Sequence, residues 1–315
     1  VHKLKPTPYN IKEKAPKNNQ TGCNPAIREV ACQMFVGAGL SPHPPIIIPE
    51  VGGEELQAAD RTVTGMKAWA KDIASVNPET LVFISPHAPF LQGALGWLAG
   101  RDLAGSFAAF GAPEVAFRVK SDRDLAASIA AEAAGEGVQV VELNTRSLDH
   151  GVMVPLYYLR EAGISADPVV FGISLLPPER HFRFGQALAR AIARSPRRIC
   201  LIASGDMSHR LQPGAPAGYD PQGQVFDRLI LESLTDMDTE RIMGIPEVLA
   251  DRAGECGLRP IIMLLGALSD FNVESKIYSY EGPFGVGYLV AGFKLKGRKT
   301  CPAAPATARA LQKGE

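Results

Sequence analysis

The sequence predicts an α/β fold: a single domain with a central mixed β-sheet flanked by helices, and an active site at the C-terminal ends of the strands. Three observations carry this expectation. Short apolar runs alternate with stretches of helical period along most of the chain. Two of those runs, Leu81-Val82-Phe83-Ile84 and Ile199-Cys200-Leu201-Ile202, are apolar without interruption, as befits strands covered on both faces. Three of the 6 histidines stand just after such runs.

The elements follow in order. Residues 34–40 form the first strand, which gives way to Ser41-Pro42-His43. Residues 54–76 read as a helix, closed by Pro78, and the strand at 81–85 ends in Pro86-His87. Glycine-punctuated strands are expected at 94–99 and 105–110, then a helix over 121–135 with Ser121 as its N-cap. A strand at 138–143, a helix at 152–163, a strand at 169–174 and a helix at 179–195 continue the alternation. The strand at 198–204 leads into Gly205-Asp206-Met207-Ser208-His209. Helices at about 220–234, 238–243, 246–253 and 259–268 precede a terminal pair of strands at 275–281 and 287–295.

Composition narrows the function classes. The 315 residues are 46% hydrophobic and 21% charged, the usual balance of a globular domain. Lys+Arg and Asp+Glu both number 33, which argues against nucleic-acid binding through a basic surface. No apolar run approaches the ~20 residues that span a bilayer, so no membrane association is expected. The 5 cysteines (Cys23, Cys32, Cys200, Cys256 and Cys301) form no CxxC pair. With no signal-peptide pattern, this points to a cytoplasmic protein. Residues 1–33, rich in Lys, Pro and Asn, read as a disordered N-terminal extension, with Met34 a candidate start. Residues 34–296 are the expected catalytic domain and 297–315 a flexible C-terminal tail. Neither a GxGxxG nor a GxxxxGK[ST] loop is present.

Chemistry is expected where the histidines gather. The carboxyl ends of parallel strands share one edge of a sheet, and ligands collect there. His43, His87 and His209 each follow a strand, and the repeated Ser-Pro-His gives two of them a rigid exit. His150, in Leu148-Asp149-His150-Gly151, stands at a helix start. Asp149 and Asp206 are placed to orient neighbouring imidazoles through their second nitrogens. His181, in a basic helical stretch, is expected to be solvated. Glu255 is the candidate third ligand of a two-His-one-carboxylate iron site, or else a carboxylate favoured at a helix N-terminus. Cys256 is the competing ligand and would favour a softer metal.

Five segments taken together resemble a known family: Leu40-Ser-Pro-His43-Pro-Pro-Ile-Ile-Ile-Pro-Glu-Val-Gly52, Ser85-Pro-His87-Ala-Pro, Leu148-Asp-His-Gly151, Ser204-Gly-Asp-Met-Ser-His209 and Gly254-Glu-Cys-Gly-Leu-Arg-Pro260. They are similar to the LigB-like superfamily, the catalytic subunits of class III extradiol ring-cleavage dioxygenases, close to its Memo-related branch. The resemblance implies Fe(II) held by two histidines and a glutamate, at His43, His87 and Glu255. It implies His209 as acid/base, His150 as a second pocket histidine, and a catechol-type substrate cleaved with O₂. In the Memo branch a cysteine falls at Cys256, which opens the alternative of a metal-binding redox or interaction protein with copper or zinc in place of iron. That branch also implies AMMECR1-like or radical-SAM protein partners, and a homo-oligomer is expected.

Overall fold

A computed structural model describes residues 34–299 of the chain. The expected extension over residues 1–33 and the segment from 300 onward lie outside the described residues. In chain order the elements are β1 (Phe35–Ser41), α1 (Pro49–Gly52), α2 (Asp60–Ser75), β2 (Thr80–Ser85), β3 (Leu95–Leu98), β4 (Asp102–Phe107), β5 (Ala112–Lys120), α3 (Arg123–Gly135), β6 (Val140–Leu143), α4 (His150–Glu161), β7 (Asp167–Gly172), α5 (Pro178–Arg194), β8 (Ile199–Ser204), α6 (Gln222–Asp236), α7 (Thr239–Met243), α8 (Glu247–Ala253), α9 (Leu258–Leu268), β9 (Phe271–Glu281) and β10 (Tyr288–Arg298). Among them no helix is long and apolar enough to cross a membrane.

The fold is a single α/β domain. Eight strands make one mixed sheet in the order β6-β3-β7-β2-β8-β1-β10-β9. Its centre, β7-β2-β8-β1, is parallel, while β10 and β9 add antiparallel strands beyond β1. Side chains of a strand alternate between faces. Leu81 and Phe83 therefore join the layer under α2 and α4, with Trp69 and Leu156. Val82 and Ile84 join the opposite layer under α3, α5 and α9, with Ile129, Phe184 and Ile261. The central strands read as unbroken apolar runs because both of their faces are buried. Cys200 sits in the first layer, fully buried, as the small hydrophobe its apolar neighbours suggested.

Close approach fixes one residue here. A Cβ on Gly39 of β1 would lie 2.3 Å from Trp69 Nε1 of α2, so only glycine lets this helix settle on the strand.

Several local expectations need correction. The segment 112–120 forms β5, which pairs with β4 as a separate two-stranded hairpin. Its residues alternate between exposed and half-buried, so it lacks the apolar run that marks the central strands. The residues around 108–110 are a 3-10 turn rather than a strand. The N-cap of α3 is Asp122, whose carboxylate accepts the Leu125 amide at 3.2 Å, whereas Ser121 Oγ is buried without a partner. The last strand runs to Arg298, into the segment read as tail.

His181 also departs from expectation. It is fully buried at the start of α5 rather than solvated. The apolar face of α5 turns inward at this position and carries the ring with it. Nδ1 donates to the Pro177 carbonyl at 3.2 Å, and Nε2 accepts the Ser174 amide at 3.4 Å. Both bonds suit the neutral ring. Burial lowers its pKa to about 4, and the nearby Arg259 charge adds to the effect against the Pro177 bond. Between pH 4 and 6.5 the unfolded chain binds a proton here that the folded chain does not, so stability rises with pH across that window. The contribution is complete above pH 6.5 and is lost as pH falls to about 4, at a cost of up to roughly 3 kcal/mol. Urea melts from pH 7 to 4 are expected to show this loss, and His181→Gln is expected to flatten it. An unchanged slope in that variant would assign the acid sensitivity elsewhere.

Candidate metal centre

The site follows from strand register. β2, β8 and β1 lie side by side, with Ser41 opposite Ser204 and Ile84 opposite Ala203. The three strands therefore end at one level. Pro42 and Pro86 then lead each chain out to a histidine two residues past the strand. Between them, Gly205 prolongs β8 by donating its amide to the Ser41 carbonyl at 3.0 Å.

The structure brings His43, His87 and Cys256 together. One nitrogen from each ring and the Cys256 sulfur lie within 4.8 Å of one another. His43 Nε2 is 3.0 Å from His87 Nε2 and 3.6 Å from Cys256 Sγ. His43 is buried, Cys256 half-buried and His87 exposed, so the cluster opens to solvent on the His87 side. His150 begins α4 and lays its ring against His87, with centroids 4.1 Å apart; it also lies 5.3 Å from the His43 ring. Phe110, at the tip of the β4–β5 hairpin, meets His150 in an edge-type contact with centroids 5.7 Å apart. His209 lies near enough that a charge on it, like one on His150, would oppose a charge on His43.

Glu255 does not join this set. Its carboxylate accepts the amides of Leu258, at 2.6 Å, and Gly257, and so caps the start of α9. Burial raises its pKa to about 7, against the pull of those amides. Cys256, the next residue, turns into the cluster instead. Its Sγ accepts the Asp206 amide at 3.3 Å, and its own amide donates to the Asp206 carbonyl at 3.3 Å. Two glycines permit this embrace: a Cβ on Gly205 would fall 2.3 Å from the Gly257 Cα.

Asp206 is buried and accepts the His43 amide at 2.9 Å, with its other oxygen 3.8 Å from His43 Nε2. Burial raises its pKa to about 7. Asp149 accepts the Ser85 hydroxyl at 2.7 Å, and Ser85 in turn accepts the His87 amide at 3.2 Å. Asp149 Oδ2 is buried with no hydrogen-bond partner among the described residues. Burial raises its pKa as well.

Two residues that the sequence reading passed over hold the frame. Ser204 touches His43 Nδ1 at 2.9 Å. Asp227 of α6, buried, accepts the Ser208 amide at 2.7 Å and the Tyr280 hydroxyl at 2.8 Å, which anchors the loop carrying His209. Its signal was a carboxylate on the apolar face of a helix, beside Phe226 and one turn from Ile230.

The electrostatics suit a cation. All four imidazoles have lowered pKa values, with burial the largest cause in each; His150 reaches about 4. They are therefore neutral at pH 7 and keep a nitrogen lone pair. Two buried carboxylates flank them, and no lysine or arginine figures among the charges acting on either. Two Nε2 atoms and a sulfur converging beside two buried carboxyls form a donor set that fits a metal ion. Burial holds the Cys256 thiol well above its usual pKa, and a cation beside it reverses that balance. A cavity of about 340 Å³ opens elsewhere, between Asp72, Tyr278 and Phe293, and no histidine lines it.

Comparison with known proteins supplies a context for this geometry. Residues 37–291 match the family described as the catalytic LigB subunit of aromatic ring-opening dioxygenase. A Clostridium acetobutylicum protein whose name states no activity is 37% identical over 81% of this chain, and the chain spans only 56% of that protein's length. The 3,4-dihydroxyphenylacetate 2,3-dioxygenase of Escherichia coli is 22% identical over 78% of this chain and 94% of its own. The 4,5-DOPA dioxygenase extradiol of Beta vulgaris is 28% identical over 56% of this chain and 67% of its own. A crystal structure of an uncharacterised Escherichia coli K12 protein superposes with a TM-score of 0.58 at 19% identity, covering 82% of this chain and 99% of that one, and so shares the fold.

The geometry at the third donor position has a measurable outcome. Cys256→Ser is expected to weaken metal binding about 10-fold or more, while Glu255→Gln keeps the metal and loses about 1 kcal/mol of stability with its helix cap. Metal titrations and thermal melts of the two variants read both effects. Retention by Cys256→Ser together with loss by Glu255→Gln would return the carboxylate to the ligand set.

Proposed function

The chain belongs to the family of the catalytic LigB subunit of aromatic ring-opening dioxygenases, and from that premise we propose that it is a metal-dependent oxidoreductase that acts with O₂ on a catechol-type substrate. The centre is mononuclear and non-haem, held by His43, His87 and Cys256, with Fe(II) as the first candidate metal. The observation that carries this reading is the pair of neutral histidines, His150 and His209, gathered around the ligand cluster without belonging to it. A structural metal site has no use for them.

When bound, the metal supplies a Lewis acid and a template for the adjacent hydroxyls of the substrate and for O₂. The chain's own residues handle the protons. His209 Nδ1 donates to the Met207 carbonyl at 3.1 Å, and the ring also bonds the backbone of Gly254. A neutral imidazole accepts a phenolic proton and later returns it to the product. His150 presents a neutral ring between His87 and Phe110 and hydrogen-bonds the substrate or its oxygen partner. The open His87 side is the entrance, with Phe110 beside it.

A second reading has a specific observation in its favour. Cys256 occupies the position where a ring-cleaving site of this type carries a carboxylate, and thiolate suits zinc or Cu(I) as well as iron. On that reading the chain is a Memo-like redox or interaction protein without ring cleavage, and AMMECR1-like or radical-SAM proteins are its partners.

One experiment separates the two. The protein is loaded with Fe(II) without oxygen, then given O₂ and a panel of catechols. A yellow ring-opened product is expected, reduced about 10²–10⁴-fold in His209→Ala. No product from any catechol at full iron occupancy would overturn ring cleavage and leave the redox reading standing.

A further inference from the structure

Ser204, the last residue of β8, lies between His43 and the start of α4. Its hydroxyl oxygen is 2.9 Å from His43 Nδ1 and 2.5 Å from the carbonyl oxygen of Gly151. All three residues are buried. A hydroxyl carries one proton, and a carbonyl oxygen can only accept. The Ser204 proton therefore goes to Gly151. What Ser204 offers His43 is a lone pair, so His43 Nδ1 must carry the ring proton. His43 Nε2, which faces His87 and Cys256, is then the unprotonated nitrogen.

We propose that Ser204 is a positioning residue that sets the tautomer of His43 through the Gly151 carbonyl, and so holds His43 Nε2 ready as a donor before any metal arrives. The proposal rests on the reading of His43 as a ligand. It also gives the Ser204-Gly-Asp-Met-Ser-His209 segment a task at its first residue, beyond carrying His209.

His87 is set differently. Ser85 holds its backbone amide, and its ring bonds through Nε2 to His43 alone among the described residues. Its Nδ1 has no partner among the described residues, so nothing presets its tautomer as Ser204 presets that of His43.

Nitrogen-15 NMR of the metal-free protein, labelled at histidine, reads both rings. His43 is expected as a single Nδ1–H tautomer, and His87, which lacks such a partner, as a mixture. In Ser204→Ala, His43 is expected to become a mixture, and affinity for Fe(II) or Zn(II) added alone falls about 10- to 100-fold. Ser204→Thr, which keeps the hydroxyl, restores both. Ser204→Ala that retains a pure Nδ1–H His43 in a folded, native-like spectrum would overturn the proposal, as would metal affinity within twofold of the parent protein. Failure of the ligand reading looks different: His43→Ala would then bind metal normally, while the tautomer change in Ser204→Ala would still be seen.

Discussion

The parallel register of β1, β8 and β2 is the constraint on which the site depends. Three adjacent strands end at the same level, and each is followed within a few residues by a polar side chain that reaches the same point. Hydrophobic burial on both faces holds that register, because a shift of one residue would exchange the two apolar layers. The large buried side chains of the sheet and the small polar cluster at its edge are therefore one arrangement. Disturbing the packing under α2 would move the histidines without touching them.

The cluster itself is stable only in a narrow electrostatic state. Four imidazoles this close repel one another as cations, and burial keeps them neutral. Neutral rings beside the buried carboxyls of Asp149 and Asp206 keep their lone pairs available, and such a set suits a metal ion. The donor set departs from a two-His-one-carboxylate site at one position, where Glu255 is spent on the amides of α9 and its neighbour takes the place beside His43.

What the sequence made legible was local. A histidine after an apolar strand and a Ser-Pro-His repeat are short-range patterns, and they located His43, His87 and His209 because strand ends in a parallel sheet must meet. The order of side chains within one turn was harder. Glu255 and Cys256 are adjacent, and a rotation of the backbone decides which one points inward; that rotation depends on Gly205 and Gly257, which are near each other only in the folded chain. Strand β5 escaped notice because its exposure alternates and a proline stands near its start. His181 escaped notice because the charges around it suggested solvent, while the helix face it lies on was set by α9 and β7. Asp227 and Ser204 owe their roles wholly to partners distant in sequence.

The hairpin has a consequence of its own. His43, His87 and His209 all follow strands of the eight-stranded sheet, so a drift in its register would move them. Phe110, by contrast, is carried on a two-stranded sheet that shares no ladder with the main one. The molecule thus divides labour between a part that must stay constant and a part that is free to vary. Changes in length or sequence at the tip of this small sheet would reshape the surface beside His150 and leave the rings of His43 and His87 where they are, so on the proposed reading this is where differences in substrate choice would arise.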